Sequence, residues 1–122
     1  MTALATERQE AVAHLKFARV GPRKLRRVAD AAFVVTNPTH LAIALAYAPP
    51  EEPVPRVLVC AADDLAARVR ELARASDVPL VENVALARAL FAQARAGETI
   101  PHGLYVAVAE VVAALSRAGA LE

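Results

Sequence analysis

The chain has 122 residues, and 14 Lys and Arg against 13 Asp and Glu leave a net charge of +1, which excludes a global nucleic-acid footprint. Its length fits one domain with a real core. A composition 57% hydrophobic but only 4% aromatic favours tight packing by small side chains over a large aromatic ligand pocket. The single cysteine excludes an internal disulfide and fits a reducing compartment.

No run approaches the roughly 20 apolar residues of a membrane span. Residues Met1 to Arg8 lack the basic start and apolar core of a signal peptide, so the chain by itself reads as cytoplasmic. Ala11, Val12, Leu15 and Ala18 recur at helical spacing and predict an amphipathic helix over residues 1–20. Gly21-Pro22 breaks it, and Pro22 suits the first turn of a short helix through Ala29. Six Lys or Arg fall between Lys16 and Arg27 with no acid among them. That run is a solvated linker face, or a juxtamembrane segment facing anionic lipid. Nucleic-acid binding is the weakest of the three readings, since Phe17 alone could offer a stacking platform. Residues 1–30 are therefore taken as a basic helical linker and 31–122 as the folded domain.

Ala32-Phe33-Val34-Val35 is continuous and β-branched, as a buried central strand requires. The second strand, Leu41 to Tyr47, carries Ala at 42, 44 and 46 and larger residues between them, which predicts two covered faces with room for a close helix. Pro49 to Pro55 holds four prolines and two acids and reads as an exposed, polyproline-like loop. Strand three follows from Arg56 to Cys60. Asp63 or Asp64 is expected to cap a helix to about Ala75, buried through Leu65, Ala66, Val69, Leu72 and Ala73, with Arg68, Arg70, Glu71 and Arg74 facing water. After Pro79 comes a short strand, Leu80 to Glu82. Asn83 caps a helix that buries Leu86, Leu90, Phe91 and Ala94 and stops at Gly97. The last helix runs from Leu104 to about Ala118, through Val108, Val111, Val112 and Leu115, and Gly119 closes it. The pattern predicts an α/β domain: a four-stranded central sheet flanked by about four helices, with a crossover between strands three and four.

Between the first two strands stands Asn37-Pro38-Thr39-His40. Pro38 fixes φ and keeps Asn37 extended, which predicts a turn with Asn37 first and His40 fourth. Such a turn is ordinary punctuation. It also has a chemistry of its own. The Asn37 side-chain amide can attack its own main-chain carbonyl carbon, close a succinimide and expel the nitrogen of Pro38. Deamidation, which needs the following backbone N–H, is closed by proline. His40, on the same turn, is of the residue type that moves protons near neutrality. Thr39 either donates a hydrogen bond to Asn37 or merely completes the turn.

Elsewhere the bland readings hold. His14 and His102 are unaccompanied by Cys or paired acids, so no metal site is expected. Cys60 reads as a small core residue, and Glu110 as facing solvent or an Arg. Four glycines make no phosphate loop, and no cofactor is expected.

Asn37-Pro38-Thr39-His40 between two strands resembles the self-cleavage motif of the FlhB/YscU family, the export-apparatus switch proteins of flagella and type III secretion systems. Val81-Glu82-Asn83 leading into Leu86 to Phe91, and Ile100-Pro101 leading into Leu104 to Val111, match further signatures of its cytoplasmic domain, so that the similarity runs from about Arg23 to the C-terminus. Two departures stand out. Cys60-Ala61 replaces a frequent Lys-Gly, and Asn83-Val84-Ala85 replaces Asn-Pro-Pro or Asn-Val-Pro. The resemblance implies single-turnover scission between Asn37 and Pro38, with Asn37, Pro38, Thr39 and His40 as the site. It further implies a switch in the substrate class of the export apparatus. Partners would be other export components, secreted substrates and a ruler protein, with membrane attachment through an N-terminal domain that this chain lacks. The alternative is a stand-alone homologue that binds the apparatus without cleaving. Flagellar and virulence-type assignments both stay open, with Asn83-Val84 and the Pro-rich loop tilting toward secretion.

Overall fold

A computed structural model of the protein describes residues 22–121. The expected helix over residues 1–20 lies outside the described residues. The described chain forms α1 (Pro22–Arg26), a 3-10 turn (Arg27–Asp30), β1 (Phe33–Asn37), β2 (Leu41–Ala48), β3 (Glu52–Ala62), α2 (Asp63–Ala75), β4 (Leu80–Glu82), α3 (Val84–Gln93), a second 3-10 turn (His102–Leu104) and α4 (Tyr105–Arg117).

The four strands make one sheet in the order β3-β2-β1-β4. β1 pairs antiparallel with β2, from Phe33 opposite Leu45 to Asn37 opposite Leu41. On its other side it pairs parallel with β4, Val34 lying opposite Leu80 and Thr36 opposite Glu82. The expected crossover is α2, which carries the chain from one edge of the sheet to the other.

Pleating sends neighbouring side chains to opposite faces, and both faces are covered, as the apolar strands require. Phe33, Val35, Ile43 and Leu45 pack with Leu86, Ala87 and Leu90 of α3 and Val108 and Val111 of α4. Val34, Ala42 and Ala44 pack with Leu65, Ala66, Val69 and Ala73 of α2 and with Val28 of the first 3-10 turn. The alanines of β2 thus face α2. Their small side chains let the helix sit close, as the alternation in β2 predicts.

β3 departs from the sequence reading. Residues 49–55 do not form one exposed loop: the strand begins at Glu52, and Pro55 is buried. The connection shrinks to residues 49–51. Two prolines fit inside this strand because it is an edge, where a missing N–H costs no ladder bond. The segment after α3 then folds along that edge. Gly97, in the left-handed region at φ +91, donates its N–H to the Val57 carbonyl at 2.7 Å. The Val57 N–H donates to Glu98 O at 2.8 Å, and the Ile100 N–H to Pro55 O at 3.0 Å.

β3 also carries a bulge. Its register against β2 jumps from Val59 opposite Ala44 to Val57 opposite Leu45, so Leu58 is the extra residue. The jump reverses the alternation. Val57 and Cys60 therefore lie with the α3/α4 core, while Leu58, Val59 and Ala61 lie with the α2 core.

The helix ends hold one success and one correction. Asn83 caps α3 as expected, its Oδ1 accepting from the Leu86 N–H at 3.1 Å. Asp63 and Asp64 do not cap α2: Ala62 is the N-cap and no side-chain cap bond forms. Both acids lie in the first turn, where they complement the positive end of the helix dipole. Arg70, expected in water, has its Nη1 buried without a hydrogen-bond partner. Glu110 is exposed, and Gly119 ends α4 at φ +75.

The close seat of α2 is testable. Ala44→Leu should lower stability by about 1–3 kcal/mol, because a wholly buried alanine faces a helix with no space to yield. Chemical denaturation reads the loss, and a variant as stable as the parent would show that α2 can lift away.

Candidate functional site at the β1–β2 turn

β1 ends at Asn37 and β2 begins at Leu41, so residues 37–40 close the hairpin. The His40 N–H donates to Asn37 O at 3.0 Å, which makes Asn37 the first and His40 the fourth residue of the turn, as read from Pro38. Thr39 stands at φ +69. Proline second and a left-handed residue third is the pattern of a type II turn, whose third position normally takes Gly or Asn. A β-branched residue there is strained by roughly 1–2 kcal/mol. Asn37 is half-buried, while Pro38, Thr39 and His40 are exposed. The Asn37 and Thr39 side chains form no hydrogen bond with another described residue. Among the described residues, none holds the Asn37 amide in a competing hydrogen bond.

Both flanks of the turn are tied down. Thr36, 5% exposed and the one buried polar residue among the described residues, directs its hydroxyl at Val81 O, 3.4 Å away. Its carbonyl accepts from the Asn83 N–H at 3.0 Å, so one backbone bond joins the strand end to the cap of α3. On the other flank His40 O accepts from the Asp63 N–H at 2.8 Å. The Asp63 carboxylate lies 3.9 Å from His40 Nδ1, with both side chains largely exposed. Asp63 itself has φ +51.

The four predicted site residues are therefore together on one turn, and the sequence reading missed their neighbours Thr36, Asn83 and Asp63. Asn83 was noticed only as a cap. Asp63 meets His40 only because β2 and β3 pair with Leu41 opposite Ala62, a register that residue spacing does not reveal. The Pro-rich segment does not lie beside the turn; β2 separates them, and its eight residues span about 27 Å. Residues 53–55 instead line an apolar groove of about 330 Å³ with Tyr47, Ile100, Tyr105 and Val112. Of the two departures from the family pattern, Cys60-Ala61 is buried in β3 rather than placed in a loop. Among the described residues, no three His, Cys, Asp or Glu side chains come together as metal ligands would.

A family model described as the FlhB, HrpN, YscU and SpaS family matches residues 8–115. The chain belongs to this family. The flagellar biosynthetic protein FlhB of Yersinia enterocolitica is 46% identical over 91 residues, 75% of this chain and 24% of that protein. The secretion system apparatus protein SsaU of Salmonella typhimurium is 45% identical over 84 residues, 69% of this chain and 23% of that protein. The chain thus spans about a quarter of the length of the curated relatives it matches. Among solved structures, the cytoplasmic domain of FlhB from Shewanella putrefaciens superposes with a TM-score of 0.72 at 34% identity, over 76% of this chain and 77% of that one. A mutated EscU C-terminal domain superposes with a TM-score of 0.69 at 30% identity, over 74% and 90%. The mixed four-stranded sheet with its helices is the fold of these FlhB and EscU domains, as the resemblance implied.

The strain at Thr39 has a measurable consequence. Thr39→Gly should raise stability by about 0.5–1 kcal/mol, since relief of the left-handed backbone exceeds the entropy glycine adds to the unfolded chain. Thermal unfolding of a non-cleaving background checks the sign, and a fall in stability would mean that Thr39 is not strained.

Proposed function

We propose that this chain is the substrate-specificity switch domain of a type III protein export apparatus, and that it cuts its own backbone once between Asn37 and Pro38. The observation that carries this reading is the Asn-Pro peptide bond at an exposed, left-handed turn clamped on both flanks. In the reaction Asn37 Nδ2 attacks its own carbonyl carbon and the bond to the Pro38 nitrogen breaks. That nitrogen takes a proton, and His40 relays the proton lost by the amide. Water then opens the succinimide. Thr39 contributes the strained backbone, and Pro38 blocks the deamidation route.

The products would stay assembled. The piece 1–37 contributes β1, and both sheet neighbours of β1 belong to the piece 38–122. Scission frees the turn, not the sheet. The switch would act at the cytoplasmic face of the inner membrane, with residues 1–30 as its basic linker. No described helix is long and apolar enough to cross a membrane. Its partners would be other export-apparatus proteins, secreted substrates and a ruler protein. The groove between β3 and α4 is a concave apolar surface open to them. Flagellar and secretion relatives match at 46% and 45% identity, so the proposal covers both systems.

Incubated at neutral pH, the purified chain should yield masses for residues 1–37 and 38–122 that co-migrate on a native gel. Asn37→Ala should stay intact because the nucleophile is gone. A parent chain that stays intact would sink the cleavage reading and leave the alternative, a binding module that docks without cutting. A second prediction concerns the proton relay. His40→Ala should cleave about a hundredfold more slowly, and cleavage at the native rate would remove His40 from that role.

A further inference from the structure

Three described non-glycine residues have a left-handed backbone, and two of them, Thr39 and Asp63, flank His40. Thr39 precedes it in the chain, and Asp63 donates its N–H to the His40 carbonyl at 2.8 Å. The left-handed backbone at Asp63 serves no cap, since α2 starts without a side-chain cap bond. Its carboxylate instead stands 3.9 Å from His40 Nδ1, and no other charged partner for it is found among the described residues. Strain of this kind persists where the surroundings over-determine it and gathers at functional sites.

We propose that Asp63 is a positioning residue for scission at Asn37–Pro38: its main chain fixes where His40 stands, and its carboxylate holds the imidazole by Nδ1. The inference rests on the self-cleavage reading above. A ring held at Nδ1–H leaves Nε2 with the free lone pair, and that nitrogen faces the task of taking the Asn37 amide proton. At 3.9 Å the contact is not a hydrogen bond. Catalytic contacts of this type shorten when the reacting geometry forms. The logic is that of a carboxylate that sets a histidine's tautomer without itself accepting the proton.

Two variants separate the carboxylate from the backbone. Asp63→Gly keeps the N–H and accepts the left-handed φ but removes the carboxylate. Asp63→Asn also tolerates that φ and keeps the shape of the side chain, but it loses the charge and can offer either an acceptor or a donor to Nδ1. Asp63→Gly and Asp63→Asn should both cleave about tenfold more slowly than the parent, since neither keeps the charge that selects the Nδ1–H tautomer. In the Asn37→Ala background, which stays intact, imidazole ¹³C and ¹⁵N shifts should show His40 mainly protonated at Nδ1. Asp63→Gly should shift that population toward Nε2–H. A merely structural role would not move this signature. Native-rate cleavage by Asp63→Gly or by Asp63→Asn, or His40 shifts unaltered by Asp63→Gly, would each overturn the proposal. A parent chain that does not cleave would fail the self-cleavage reading instead, and the His40 shifts would still test the contact.

Discussion

Everything in this domain hangs on β1 being hydrogen-bonded along both sides. Phe33, Val34 and Val35 are wholly buried, and their main chain satisfies β2 on one side and β4 on the other. An internal strand gives the sheet its two-sided core, one face for α2 and the other for α3 and α4. It also fixes the point where the chain must turn. With Thr36 locked beneath it and Leu41 already in register, the four-residue connection has little freedom left. That is why Thr39 can be kept in a conformation it would not choose.

On the proposed reading, the turn is a place where stability and reactivity are in tension. A relaxed turn with glycine third would fold more readily. The observed turn keeps an exposed Asn-Pro bond in a strained frame, with a histidine next to it and an aspartate opposite. Neither tether to the turn is long: Asn83 reaches Thr36 from α3, and Asp63 reaches His40 from the start of α2. The two helices that cover opposite faces of the sheet thus converge, at their N-terminal ends, on the same few backbone atoms.

How much of this was legible in the sequence depends on the range of the interaction. The continuous β-branched run at 32–35, the Ala alternation in β2, the Asn83 cap and the closing Gly119 are local signals, and each led to the right element. The order of residues in the 37–40 turn followed from what proline does to its own φ and to its neighbour. The length of β3 was not legible, because Pro53 and Pro55 break a strand unless it lies at an edge, and edge position belongs to the tertiary fold. The bulge at Leu58 and the approach of Asp63 to His40 depend on cross-strand register, which local patterns do not carry. The distance between the Pro-rich segment and the turn was implicit in the predicted strand between them. An extended run of that length keeps its two ends apart.

The two borders of the sheet also bear on how such domains can be crowded together. On one border two prolines remove N–H groups, and the segment through Gly97 and Ile100 takes up main-chain groups of Pro55 and Val57. On the other, the exposed strand is only Leu80–Glu82. A newcomer strand would find a three-residue template on one border and, on the other, Pro55 and Val57 already bonded. Copies of this domain can then be crowded together without the sheet growing readily into a larger one.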